Sequence, residues 1–79
     1  MSDKKEFEML RMSVANAEAD TLRAKVALAR FFRQVRVARN LTLRDFAKFS
    51  GLSIAFVSDV ELGRRGASER FITSFTRIL

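Results

Sequence analysis

Residues 41–65 read LTLRDFAKFSGLSIAFVSDVELGRR, and this stretch decides the fold. Thr42 and Asp45 have the spacing of a capping box, which marks the start of a helix. Gly51 supplies the positive φ that a tight turn requires, so that helix should end there. Ser53 is a favoured residue for capping a following helix. The stretch therefore predicts two short helices joined by a tight turn.

The apolar residues of these two helices fit a close crossing. Ala47 is small, which allows the helices to approach each other. Leu52, Val57 and Val60 are spaced so that they bury the inner side of the second helix. This is the spacing of a helix-turn-helix unit, whose second helix enters the major groove of DNA. We therefore expect binding to double-stranded DNA, with helix 53–61 in the groove.

The distribution of charge agrees with this expectation. The chain has 79 residues and a net charge of +6. Residues 1–27 carry five basic and five acidic side chains, whereas residues 28–79 carry ten basic and four acidic ones. The excess thus lies in the half that contains the motif, and nine of its ten cations are Arg. Arg binds phosphate and guanine edges through its planar fork of donors.

The composition argues against several classes of protein. The chain has no Cys and no His, so we expect no disulfide, no usual zinc site and no common nucleophile–base pair. No catalytic site, metal or other cofactor is predicted. No apolar run reaches about 18 residues, and the N-terminus lacks the apolar region of a signal peptide. We therefore expect a soluble, cytoplasmic protein without a membrane contact.

The N-terminal half has no strong helix breaker. The chain has no Pro and only three Gly, which favours helix nearly throughout. We predict one long N-terminal helix, straight or bent, from about residue 3 to residue 39. Such a helix would span about 55 Å. The alternative is a break near Asp20 and Thr21, both of which can cap a second helix.

Apolar residues of this N-terminal helix recur at intervals of three and four. A repeat of this kind predicts a seam between two parallel helices, or packing of the arm on its own domain. We expect the seam to join two chains in a homodimer. Its residues are Phe7, Leu10, Val14, Ala17, Thr21, Ala24 and Leu28. The chain then divides into a helical arm, residues 1–27, for dimerisation or packing, and a DNA-binding domain, residues 28–79.

Residues 31–79 resemble the Cro/C1-type helix-turn-helix family, also called the XRE or lambda-repressor-like family. The resemblance rests on FRQVR at 32–36, LTLRDFA at 41–47, SGLS at 50–53 and FVSDVELGRR at 56–65. It implies an all-α, compact lambda-repressor-like domain, here preceded by the long N-terminal helix.

The resemblance also implies a role for each matching residue. Arg36 and Glu61 would form a buried ion pair that ties the preceding helix to the recognition helix. The start of the first motif helix and the loop after the second would contact the DNA backbone. The phosphate-binding residues would be Thr42, Leu43, Arg44, Lys48, Arg64 and Arg65. The base-reading residues would be Ser53, Ile54, Ala55, Ser58 and Asp59.

The recognition helix departs from the usual pattern at its start. The side chains of Ile54, Ala55 and Phe56 cannot form hydrogen bonds with base edges. Ile54 and Ala55 can contact thymine methyl groups, and Asp59 can accept a hydrogen bond from a cytosine amino group. Phe56 is expected on the outward side of this helix, and the alternative is that it lies partly in the core. Specificity should then depend more on Arg contacts and on DNA shape.

These features predict a sequence-specific, DNA-binding transcriptional regulator. We expect a dimeric repressor from a phage or mobile element, or an autoregulator of its own operon, bound to a two-fold symmetric operator. The alternative is an antitoxin-type or other protein-binding module on the same fold, whose N-terminal arm binds a partner protein.

Overall fold

The computed structural model describes the backbone of residues 3–16 and 21–79, and the side chains of these residues except 13–16, 21 and 22. This part of the chain contains α-helices and no strand, as the all-α prediction required. The five helices are α1 Asp3–Asn16, α2 Thr21–Ala38, α3 Leu43–Ser50, α4 Ile54–Glu61 and α5 Glu69–Ile78. None of them combines the length and the apolar character that crossing a membrane requires.

The N-terminal half forms two helices that pack against each other. Phe7 of α1 stacks on Phe31 of α2, with ring centroids 6.2 Å apart. In one straight helix these two residues would lie about 36 Å apart. The prediction of a single helix from residue 3 to residue 39 is therefore wrong. The alternative break near Thr21 agrees with the start of α2 at that residue.

A cluster of Phe rings holds the helices together. Phe32 of α2 contacts Phe71 and Phe75 of α5 at centroid distances of 4.8 and 4.7 Å. Phe46 of α3 lies 5.1 Å from Phe71, and Phe7 of α1 lies 5.0 Å from Phe75. Most of these contacts are edge-to-face or tilted, the arrangement that the ring quadrupole favours. The core thus joins α1, α2, α3 and α5 through side chains that are almost fully buried.

The predicted arm shares this core with the rest of the chain. The boundary between residues 27 and 28 lies inside α2. Phe7 is 3% exposed, and Leu10 and Leu28 pack against the core. These three residues therefore face their own chain, which corrects the expectation that they form a seam with a second one. Of the other seam residues, Ala24 is half-buried, whereas the side chains of Val14, Ala17 and Thr21 lie outside the described part.

The start of α3 is fixed by a capping box. The Thr42 hydroxyl oxygen accepts a hydrogen bond from the Asp45 N–H at 3.0 Å, and the Asp45 carboxylate accepts one from the Thr42 N–H at 2.9 Å. The hydrogen bonds from Thr42 lower the pKa of the Asp45 carboxyl below its ordinary value of 3.8. The ionised carboxylate is thus the form that the fold stabilises.

Replacement of Asp45 should have a pH-dependent effect on stability. Because its pKa is lower in the folded state, the carboxylate stabilises the fold fully above 3.8, and this contribution is lost as the pH falls through the folded-state pKa. Asp45→Asn should lower the thermal midpoint at pH 7, and the difference from wild type should vanish in strong acid. Midpoints measured from pH 2 to pH 7 test this. Glu69→Gln, which removes a first-turn charge from α5 without breaking a capping box, serves as the control. A difference that stays constant down to pH 2 would contradict the assignment.

Candidate nucleic-acid interface

Helices α3 and α4 are joined by a turn with the predicted local structure. Gly51 ends α3 in the left-handed region at φ 73°, and the Leu52 N–H donates to the Ala47 carbonyl at 3.0 Å. The Ser53 hydroxyl then caps α4 by accepting a hydrogen bond from the Phe56 N–H at 3.0 Å. These contacts join residues at most five positions apart, so local interactions form the turn between the two helices.

The inner side of α4 is anchored in the core, and its outer side is open. Val57 and Val60 are 0% and 2% exposed. The predicted base-reading residues occupy the other side, where Ser53, Ile54 and Ala55 are exposed and Ser58 and Asp59 are half-buried. The arrangement leaves this side of α4 accessible to a groove of DNA.

A buried ion pair fixes the end of α4. Arg36 Nε donates to Glu61 Oε2 at 2.7 Å, and Arg36 Nη2 donates to Glu61 Oε1 at 3.1 Å. The two side chains are 9% and 5% exposed. Arg36 Nη1 also donates to the Leu41 carbonyl at 2.6 Å. One guanidinium group therefore connects α2, the segment before α3 and the C-terminal end of α4, which sets the orientation of α4 on the domain.

The N-terminal end of α3 presents unused backbone donors. The N–H groups of Thr42 and Asp45 are taken by the capping box, and the first helical hydrogen bond runs from the Phe46 N–H to the Thr42 carbonyl. Within the described residues, the N–H groups of Leu43 and Arg44 have no protein acceptor. Such donors, at the positive end of a helix dipole, can bind a phosphate.

The predicted phosphate-binding side chains of α3 do not all point outward. Leu43 packs against the core, so only its backbone N–H can reach DNA. Arg44 and Lys48 are exposed and can place positive charge beside the same phosphate.

The loop after α4 holds the other two predicted phosphate-binding residues. The Arg65 guanidinium lies over the Phe56 ring, 5.0 Å from its centroid. Arg64 Nη1 lies 4.0 Å from Asp59 Oδ1, a distance at which an exposed pair contributes little. Phe56 itself packs against the core, which agrees with the alternative that it lies partly in the core and not fully on the outer side. Both Arg side chains are exposed and lie beside the outer side of α4.

The match to a family model agrees with this geometry. Residues 27–79 match the model described as a helix-turn-helix domain. The chain belongs to the helix-turn-helix domain family. No curated protein and no solved structure matches the sequence. The family assignment indicates a DNA-binding regulator.

The helix-turn-helix unit also includes a cation that sequence reasoning missed. The guanidinium of Arg70 in α5 lies beside the turn. Its Nη1 atom is 3.4 Å from the position that a Cβ atom would occupy on Gly51. Its positive charge is therefore near the C-terminal end of α3, where the helix dipole favours a cation. No local signal in the sequence places α5 at this turn, because the approach depends on the packing of Phe71 against Phe46.

Proposed function

We propose that the protein is a sequence-specific transcriptional repressor of the Cro/C1 type, acting in the cytoplasm on operator DNA. One observation carries the proposal: the outer side of α4 is exposed at Ser53, Ile54 and Ala55, while the Arg36–Glu61 pair and the Ser53 cap hold the helix in place. A rigid helix with an accessible side is what major-groove reading requires. Binding of RNA polymerase to the promoter would be blocked by occupancy of the same DNA.

The chemistry of the outer side of α4 suggests what it reads. Ile54 and Ala55 would contact thymine methyl groups. Ser53 and Ser58 would donate or accept hydrogen bonds at base edges, and Asp59 would accept one from a cytosine amino group. The flanking phosphates would be bound by the α3 N-terminus and by the side chains of Arg44, Lys48, Arg64 and Arg65.

We further propose that two copies bind a two-fold symmetric operator. Dimers of this kind place their recognition helices about 34 Å apart, one turn of DNA. Since Phe7 and Leu10 face their own core, the pairing would use a different side of α1. Met9 and Met12 are 56% and 61% exposed and offer apolar surface there.

A second candidate is a protein-binding module of the antitoxin type on the same fold. A groove of about 750 Å³ runs along α2 and the end of α4. Val26, Val37 and Leu62 line it and are 36%, 54% and 55% exposed. Exposed apolar surface of this kind is typical of partner binding. Both candidates are binding functions, and we propose no catalytic one.

Selection of duplexes from a random DNA pool tests the proposal. We expect enrichment of a two-fold motif with half-site centres about 10 base pairs apart, bound at least 10³-fold more tightly than random DNA. Ala55→Glu, which places a negative charge on the outer side of α4, should lower affinity for the selected duplex at least about fivefold, since even one disrupted base contact costs about 1–3 kcal/mol.

The matched control is Thr73→Glu, an exposed residue that belongs to α5 and not to the recognition helix. It should leave affinity within about twofold, because exposed substitutions outside the contact surface have small effects. A pool without enrichment would rule out the repressor and favour the protein-binding module. Equal loss of affinity in both variants would show that α4 does not read the DNA.

A further inference from the structure

A second cleft lies between the N-terminal helices and the loop after α4. Its volume is about 430 Å³. Its apolar floor includes Leu28, Phe32 and Ile72, and its polar lining is basic. Among the side chains that the structure describes, four cations from three parts of the chain line it and no acidic group does: Arg11 of α1, Lys25 of α2, and Arg64 and Arg65 of the loop. Arg11 and Lys25 lie outside residues 27–79, the part of the chain that matches the helix-turn-helix domain.

Two of these cations are held in position by aromatic rings. The Arg11 guanidinium lies 5.4 Å from the centroid of Phe7, and the Arg65 guanidinium lies 5.0 Å from that of Phe56. A guanidinium stacked by its face keeps the N–H donors at its edge free. Phe7 is 3% exposed and anchored in the core, so Arg11 rests on a rigid support. Such fixed donors suit a phosphate oxygen.

We propose that this cleft binds backbone phosphates of the operator DNA next to those bound by the loop. Arg11 and Lys25 would thereby extend the DNA contact beyond the helix-turn-helix unit and onto the N-terminal pair of helices. The inference rests on the proposed DNA-binding function and adds two phosphate-binding residues to it. It also gives α1 a role in DNA binding besides its packing against the core.

The form of the cleft favours a DNA backbone over a small anionic ligand. All four cationic side chains are exposed, and two of them belong to the loop that the recognition helix already places beside DNA. A small-molecule site usually offers convergent polar groups inside a largely enclosed pocket. Here the described polar lining is confined to long, exposed cations at the rim, which suits a chain of phosphates that passes along the surface.

The test is the salt dependence of DNA binding, measured on the selected duplex with the full chain. Each phosphate contact adds about 0.9 to the slope of log affinity against log salt. The double variant Arg11→Gln/Lys25→Gln should therefore have a slope about 1.8 smaller than wild type. Between 50 and 200 mM salt, wild type should lose about 12-fold more affinity than the double variant. The preference for the selected duplex over random DNA should be unchanged, because phosphate contacts carry no sequence information.

Two variants control for charge. Arg30→Gln removes a cation from α2, the helix that carries Lys25. Because Arg30 lines the groove along α2 and the end of α4 and not the basic cleft, the slope should remain that of wild type. Arg11→Lys/Lys25→Arg keeps both charges and should restore most of the slope. Thermal midpoints of all variants show whether each is folded.

The outcomes separate this inference from the proposed function. If wild type binds the duplex tightly but the double variant keeps the full slope, only the inference is overturned. A slope about 0.9 smaller in Arg30→Gln, half the change in the double variant for half the charge removed, would also overturn it, since the effect would then come from net charge. If inorganic phosphate stabilises wild type but not the double variant while the DNA slope is unchanged, the cleft is a site for small anions instead. Failure of wild type to bind any duplex would overturn the proposed function, and the inference with it.

Discussion

Glu61→Ala should lower the free energy of unfolding by about 3–5 kcal/mol. The replacement leaves the Arg36 guanidinium without the carboxylate that accepts from its Nε and Nη2 atoms. At 9% exposure, the Arg36 side chain has almost no water to replace that partner. A chain of 79 residues is expected to have a total stability of about 4–12 kcal/mol. The variant should therefore be close to its unfolding transition at physiological temperature.

Thermal and urea unfolding measure this effect. For a domain of this size, the expected loss corresponds to a decrease of about 12–40 °C in the midpoint. Asp59→Asn is the matched control, since it removes a carboxylate from the same helix whose Arg partner lies 4.0 Å away and is exposed. Its effect should stay below about 1 kcal/mol. Equal midpoints for the two variants would show that burial does not make the Arg36–Glu61 pair structurally important.

A double replacement separates the pair from its surroundings. Arg36→Met/Glu61→Leu removes both charges and should recover much of the stability that Glu61→Ala loses, because no unpaired charge remains buried. The recovery should be incomplete, since the Leu41 carbonyl also loses the hydrogen bond that Arg36 Nη1 donates at 2.6 Å. If the double variant is as unstable as Glu61→Ala, the instability of Glu61→Ala does not come from the unpaired charge of Arg36, and the pair stabilises the fold in another way.

The helix-turn-helix unit could be predicted from the sequence because its signals are local. Thr42 and Asp45 form the expected capping box. Gly51 adopts the expected left-handed conformation, and Ser53 caps α4. Each of these interactions joins residues at most five positions apart, so a pattern of residue types is enough to identify it. The Arg36–Glu61 contact spans 25 positions, and only the resemblance to a known family indicated it.

The arrangement of the N-terminal half could not be predicted in the same way. An apolar repeat at intervals of three and four has two explanations. It fits a seam between two chains, and it fits equally well a helix side that faces the chain's own core. No Pro or Gly lies between residues 3 and 39 to mark where a helix would end. The contact between Phe7 and Phe75, which helps to place α1 in the core, joins residues 68 positions apart in the sequence. The basic cleft could not be predicted from the sequence either, because its lining residues Arg11, Lys25 and those of the loop after α4 come from separate parts of the chain.

Phe7→Ala should lower the free energy of unfolding by about 3–5 kcal/mol. The Phe7 ring contacts Phe31, Phe32 and Phe75 at centroid distances of 6.2, 5.9 and 5.0 Å. Its removal leaves a cavity at the point where α1, α2 and α5 meet, and the rigid rings around it can fill little of that space. The loss should include both the burial of the ring and its edge-to-face contacts.

Urea unfolding at several protein concentrations distinguishes this role from dimerisation. If Phe7 stabilises the single chain, the loss should be the same at every concentration, because folding of one chain does not depend on mass action. If Phe7 instead joined two chains, the loss would depend on concentration and the variant would dissociate. Glu8→Ala, an exposed residue of the same helix, should change stability by less than about 0.5 kcal/mol. A small effect of Phe7→Ala, similar to that of Glu8→Ala, would mean that α1 does not belong to the core. In that case Arg11 would also lack the rigid ring on which its phosphate contact depends.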